Sequence, residues 1–460
     1  MLPCATDGFV APRTGLSVAM SFVQKVLRGR IVTFCGNPFE LPPSACLKVE
    51  EDGFVLVREG KIVQVGAWSE RSQYLPENAD VIHYENALIS SGFIDTHVHY
   101  PQLPVIASYG EQLLEWLTRY VFPVEASFAD EAMASSIARR FLRELLRAGT
   151  TTAAVYCTVH PQSVDAFFAE SMRLNTRMIA GKVLMDRNAP ENLRDTVRTG
   201  YDQSAELIRR WHGKGRQSYA VTPRFAITST PEQLEAAGDL LDIAPNVFMQ
   251  THLAENREEV RAVQQLFPAS RSYLDVYDRA GLVRRRSVFG HAIHVDEPDL
   301  CRCHASGAAF AHCPTSNLFL GSGAFRLADA KDPRRPVHVG LGTDIGAGTS
   351  LSLLKTMGEA YKISQINHKP LHPVQALWLA TRGGAEALAL EDHIGSVAAG
   401  MEADLCILDA GEGEFLQWRM ERCQSVEDML FVLMTLGDER CVRATWVAGE
   451  CVYERGSDMM

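Results

Sequence analysis

No stretch of this 460-residue chain comes near the roughly 18 consecutive apolar residues that span a bilayer. Its opening, MLPCATDGFVAPRTGLSVA, lacks the charged start and apolar core of a secretory signal. Blocks of like charge are missing too. The 45 basic and 56 acidic residues are interspersed and give a net charge of −11, which argues against nucleic acid or an anionic membrane as the main partner. No CxxC occurs, and the 11 cysteines are scattered, with Cys301-Arg302-Cys303 the one close pair. Such spacing suits reduced thiols and a cytoplasmic setting rather than disulfides. Without a PCxxC, the deaminase class that holds zinc through HxE and PCxxC motifs is excluded. What is present is the composition of a globular enzyme, 46% hydrophobic and 22% charged, with length enough for a barrel core and a second unit.

The two ends read alike. KVLRGRIVTF and CLKVEEDGFVLVREGKIVQVGAW alternate apolar and polar residues, and Glu59-Gly60 between two such runs predicts a hairpin. ADLCILDA and RATWVAGECVYER near the C-terminus have the same character. These patterns predict a small β-sandwich domain built from both chain ends, residues 20–90 and 391–460, after a leader of residues 1–19. Residues 91–390 between them alternate strands and helices. Eight strand-like runs occur there, FIDTHVH, TTAAVY, RMIAGKVLMD, YAVTPRF, FMQTHLA, SVFGHAI, AAFAHCP and VHVGLGTD, which predicts an α/β fold, a (β/α)8 TIM barrel. Thr230 and Pro231 mark one helix start, and Met133, Ile137, Phe141 and Leu145 recur at helical spacing before Gly149.

In such a barrel, chemistry sits at the C-terminal ends of the strands. His97 and His99 are two apart on a strand and so share a face. An HxH pair is weak evidence in a chain with 14 histidines, but this one closes an apolar run. His252 closes another, with Glu255 three residues on. His291 ends SVFGH, and Asp344 follows VHVGLGT. Four strand ends thus each offer imidazole or carboxylate, the ligands of a borderline divalent metal.

FIDTHVH, QTHLAEN, GHAIHVD and GLGTDIGAG together resemble the ordered signature of the amidohydrolase superfamily, in its mononuclear deaminase branch. The resemblance runs over nearly the whole chain, and IGSVAAGMEADLCILD is similar to that family's return strand. HYPQ (99–102), LLEWLTRYVFPVE (113–125), TPRFAITST (222–230), KVLMDRN and HCPTSNLFLGSG narrow it to the guanine deaminases. The resemblance implies that His97, His99, His252 and Asp344 bind one divalent ion, zinc or else iron, with a position left for water. It implies that Asp344 takes the proton of the water, that His291 holds and polarises that water, and that Glu255 passes a proton to the ring. Gln102, Arg224 and Phe225 then recognise guanine beside His99, His252, Glu255 and Asp344. The aromatics Trp116, Tyr120 and Phe122 read either as part of a lid over the base or as ordinary packing. A homodimer is the family's habit. His160, His294, His312 and His338 are read as structural. Adenine, cytosine or triazine rings are the rival substrates. A binuclear cyclic-amide hydrolase would need a bridging lysine, for which Lys182 is the one candidate.

Overall fold

The structure, a computed structural model, describes residues 25–75, 79–109 and 112–457; the expected leader lies outside them. The alternating runs at the two ends of the chain pair into one seven-stranded sheet. From one edge its order is Glu450–Glu454, Val442–Val447, Leu405–Leu408, Asp80–Ser91, Lys25–Phe34, Leu47–Arg58 and Lys61–Ala67. Neighbours run antiparallel except Lys25–Phe34 with Asp80–Ser91. The chain ends meet where Leu405–Leu408 lies against Asp80–Ser91, a junction that neither sequence segment announces by itself. At the expected hairpin, Glu59 and Gly60 both take positive φ, 51° and 77°, as a two-residue turn between twisted strands requires. Lys61 bridges to Glu402, and the Ile62 N–H donates to the Met401 carbonyl at 2.8 Å. That edge therefore curls back, and the sheet folds around Leu27, Ile31, Val55, Ile89, Ile407 and Trp446.

All eight expected barrel runs form parallel strands in sequential order: Phe93–His99, Thr150–Tyr156, Arg177–Gly181, Ser218–Pro223, Phe248–Leu253, Ser287–His291, Ala309–His312 and His338–Leu341. The first and last are stitched by Thr96 Oγ1, which donates to the Leu341 carbonyl at 2.9 Å. The Asp344 N–H donates to the His97 carbonyl at 2.9 Å just above. Helices cover the outside. Glu131–Arg147 is capped by Asp130, and it buries Phe141 and Leu145 against the strands. Pro231–Leu240 starts where Thr230 accepts from the Gln233 N–H.

At the N-terminal end of the barrel a partly buried ion-pair network ties it to the sheet. Glu402 receives Arg177 and Arg216, and Arg216 also reaches Asp404. No helix among the described residues is long and apolar enough to cross a membrane. The ten described cysteines are all free, Cys4 lying outside them.

Candidate metal centre and base pocket

The C-terminal ends of the barrel strands gather the histidines. His97 and His99 project from one strand to the same side, with their Nε2 atoms 3.3 Å apart. His252, on the strand Phe248–Leu253, brings its Nε2 to 3.2 Å from that of His99. Asp344 Oδ1 lies 3.3 and 3.4 Å from the Nε2 atoms of His97 and His99. His291 Nε2 stands 3.7 Å from Asp344 Oδ2 and 3.5 Å from Glu255 Oε2. His291 and Asp344 both hold positive φ, 70° and 49°. Left-handed backbone at non-glycine residues costs about 1 kcal/mol or more each, and such strain clusters at functional sites. The glycines beside these residues leave the room that His97 needs. A Cβ at Gly290 would come within 2.6 Å of its ring, and one at Gly342 within 2.8 Å of its Cβ.

These donors fit a divalent ion. His252 Nδ1 donates to the Arg224 carbonyl at 2.7 Å, so its Nε2 carries a bare lone pair toward the cluster. His291 Nδ1 likewise donates to Asn317 Oδ1 at 2.8 Å. Its Nε2 has no hydrogen-bond partner among the described residues. Burial pushes His97, His99 and His252 below the ordinary imidazole range, so protons do not relieve the crowding of lone pairs. Burial would raise the Asp344 carboxyl, but His97, His291 and His99 hold it well below the usual carboxylate range. The cluster is thus a set of deprotonated donors in which His97, His99 and Asp344 stand 3.3–3.4 Å from one another and His252 stands 3.2 Å from His99. Four tetrahedral ligands at bonds of 2.0–2.1 Å sit about 3.3 Å from one another.

Glu255 stands beside the cluster, its carboxyl raised to about 7 by burial against the opposing pull of His291. Ser322 Oγ donates to its Oε1 at 3.0 Å. Its backbone is fixed by Glu259, whose Oε2 accepts from the N–H groups of Glu255 and Asn256 at 2.8 and 3.1 Å. On the other side of the pocket, Gln102 and Arg224 share one buried carboxylate. Arg224 Nη1 donates to Glu125 Oε2 at 2.6 Å, and Gln102 Nε2 to Glu125 Oε1 at 3.2 Å. Phe225 lines the same pocket, and Leu113, Trp116, Leu117 and Leu320 close it. Its free volume beneath this roof is about 30 Å³, room for about one water. Larger clefts of about 690 and 830 Å³ lie elsewhere; chemistry and not size marks the site. Of the three aromatics expected in the lid, only Trp116 lines the pocket. Phe122 instead stacks against Arg224, and Tyr120 against Arg119.

The structure therefore brings together His97, His99, His252, Glu255, His291, Asp344, Gln102, Arg224 and Phe225. Lys182 is not among them: its Nζ is bound to Asp195 Oδ2 at 2.5 Å, away from the pocket lining. His312 is buried against Phe325, and His338 opens the last barrel strand at the opposite end. Five positioning groups escaped the sequence reading. Asp95 receives the backbone N–H groups of His97 and Thr343, and so ties the HxH strand to the loop of Asp344. Glu125, Glu259, Asn317 and Ser322 hold Arg224, the Glu255 loop, His291 and the Glu255 carboxyl in turn. Asp95, Glu125, Asn317 and Ser322 stand inside the motifs quoted above. Their work is to hold other side chains, and the strand period does not reveal that.

A barrel whose strand ends converge three imidazoles and a carboxylate on one point, beside an acid held near neutrality, is that of a metal-dependent hydrolase. The amidohydrolase family model matches residues 88–452, and the chain belongs to that family. Within it, the chain is 45% identical to guanine deaminase of Escherichia coli, over 94% of this chain and 98% of that one. It is 39% identical to the probable guanine deaminase of Deinococcus radiodurans, over 94% and 100%. The structure of the E. coli guanine deaminase superposes with a TM-score of 0.91 at 45% identity, over 94% of this chain and all of that one.

Proposed function

We propose that this chain is a guanine deaminase, which hydrolyses guanine to xanthine and ammonia in purine catabolism. The observation that carries the reading is the pairing of Arg224 and Gln102 on the Glu125 carboxylate, across one pocket from the histidine cluster. A fixed guanidinium and a carboxamide match a carbonyl and ring-nitrogen edge such as that of guanine O6 and N1. Adenine would set an amino group against those donors. The similarity to guanine deaminases over nearly the whole chain supports the same substrate.

His97, His99, His252 and Asp344 hold the ion. A divalent ion in such a site would lower the pKa of a water from far above neutrality to about 7 and so supply a nucleophile in neutral solution. Asp344, held ionised by its histidines, accepts the proton that the water gives up on attacking C2. His291 turns its Nε2 toward that water, between Glu255 and Asp344. Glu255, near neutrality, delivers a proton to N3, so the ring takes up the electron pair as C2 becomes tetrahedral. Such proton transfer is worth roughly 10²–10⁴-fold. The C2–N bond then breaks, the amino group leaving as ammonia with the proton from Asp344, while the new hydroxyl passes its remaining proton to the Glu255 carboxylate and stays as the 2-oxo group. Phe225 and the roof shut out bulk water.

Zinc as the ion and a homodimer complete the reading on the resemblance to guanine deaminases, and a cytoplasmic setting on the free cysteines. So does the division of the chain at about residues 90 and 390. The substrate test is ammonia release from guanine, adenine and cytosine in parallel. Guanine alone is the predicted substrate. Ammonia from another base would overturn the roles given to Gln102, Arg224 and Phe225, and none from any base would overturn the deaminase reading.

A further inference from the structure

Beside the mouth of the base pocket lies a second cavity of about 830 Å³, lined in part by Arg257, Arg261, Arg326, His294, Asn256 and Ser322. In a chain of net charge −11, three guanidinium groups converge there. Arg257 and Arg261 lie one turn apart on the helix Arg257–Leu266 and are exposed. Neither forms an ion pair or side-chain hydrogen bond with the described residues. Arg326 reaches Asp329 at 3.2 Å and the Val295 carbonyl at 3.1 Å. Glu258 is the one carboxylate in the lining. The helix also starts at this cavity and turns the positive end of its dipole toward it. Burial lowers His294, and Arg257 and Arg326 lower it further, a mark of the positive field.

The wall between the two cavities is thin. Ser322 lines the outer one, and its hydroxyl donates to Glu255 in the inner one. Asn256 Nδ2 donates to Gln112 Oε1 at 3.3 Å beside it. In the deaminase reading Glu255 serves N3 of the purine. N3 and N9 flank C4 on one edge of the ring, so the outer cavity lies on the side where a nucleoside carries its sugar. We propose that this cavity is a phosphate site, filled by inorganic phosphate or by the phosphate of a guanine nucleotide whose base lies at the neighbouring pocket. Arg257 and Arg261 supply the charge-assisted, fork-shaped contacts that a phosphate takes. The choice of nucleotide rests on the deaminase reading; the oxyanion chemistry of the cavity does not.

The test is calorimetric binding of inorganic phosphate, guanosine and guanosine 5′-monophosphate to the metal-loaded enzyme. It is repeated on the Arg257→Ala/Arg261→Ala double variant and on a variant with lysine at both positions. Guanine turnover is followed in all three. The expected result is that the monophosphate binds about 10-fold or more tighter than guanosine. That advantage disappears with alanine and largely returns with lysine, while guanine turnover stays within about 2-fold. Displacement of guanine by the monophosphate identifies a nucleotide as the source. Phosphate binding that leaves guanine bound identifies the free ion. The proposal is overturned if phosphate does not bind and the monophosphate binds no better than guanosine, or if a preference survives the alanine substitutions. Failure to release ammonia from guanine would instead remove the deaminase reading, and phosphate binding would still judge the cavity.

Discussion

The barrel carries a charged cluster at each end, and the two are built on opposite rules. At the N-terminal end, Arg177 and Arg216 face Glu402 and Asp404, so each charge meets its opposite. At the C-terminal end, three imidazoles turn bare nitrogens on one another and on Asp344, and His291 Nε2 has no hydrogen-bond partner among the described residues. The first arrangement is complete as it stands and holds the sheet to the barrel. The second becomes favourable when a cation sits among the donors. Buried polar groups left unpaired cost about 1–3 kcal/mol each, and the strained φ values at His291 and Asp344 add to that. Local satisfaction therefore separates the end that stabilises from the end that reacts, as the division of labour in this barrel type implies.

Substitutions at the two ends should break this contrast in different observables. The largest effect belongs to Asp344→Asn, which removes the anionic donor and the proton acceptor. Guanine turnover should fall by about 10⁴-fold with bound metal reduced, while the unfolding midpoint of the metal-free protein holds or rises. Glu402→Ala should do the reverse. Two partly buried guanidinium groups lose a partner, so urea unfolding should show a loss of about 1–3 kcal/mol, with turnover per folded chain unchanged. Glu125→Gln lies between. It frees Arg224 and Gln102 from their shared carboxylate, and kcat/KM for guanine should drop by about 10- to 100-fold, mainly through KM, with metal content intact.

The smallest effect is a pH dependence at the N-terminal end. His338 opens the last barrel strand there, and burial, aided by Arg285 and Lys331, lowers it to about 4. The unfolded chain binds the proton at about 6.5 and the folded chain only near 4. Stability from this group is therefore present above about pH 6.5 and lost as pH falls toward 4. His338→Gln should flatten the fall in urea midpoint between pH 7 and pH 5. An unchanged slope would assign the acid loss elsewhere.

Much of this was legible in the sequence because it depends on short periods. An i, i+2 pair on a strand must share a face, which is why His97 and His99 could be placed together. Strand-end positions likewise made His252, His291 and Asp344 neighbours once eight strands were counted. The hairpin at Glu59-Gly60 and the cap at Thr230 are local, and both appear as expected. What was not legible depends on distant pairing. Glu125 meets Arg224 across 99 residues, and nothing within LLEWLTRYVFPVE says that its last residue turns inward beneath the base pocket. Aromatic density in that segment suggested a lid of three rings, but helical phase sends only Trp116 to the pocket.

The central claim is that the C-terminal cluster is completed by one metal ion on which the reaction depends. The direct measurement is elemental analysis of the purified protein, paired with guanine-dependent ammonia release before chelation, after exhaustive chelation, and after zinc is returned. The account predicts one divalent ion per chain, lost together with activity and restored by one equivalent. Full activity in ion-free protein, or two ions per chain at full activity, would contradict it.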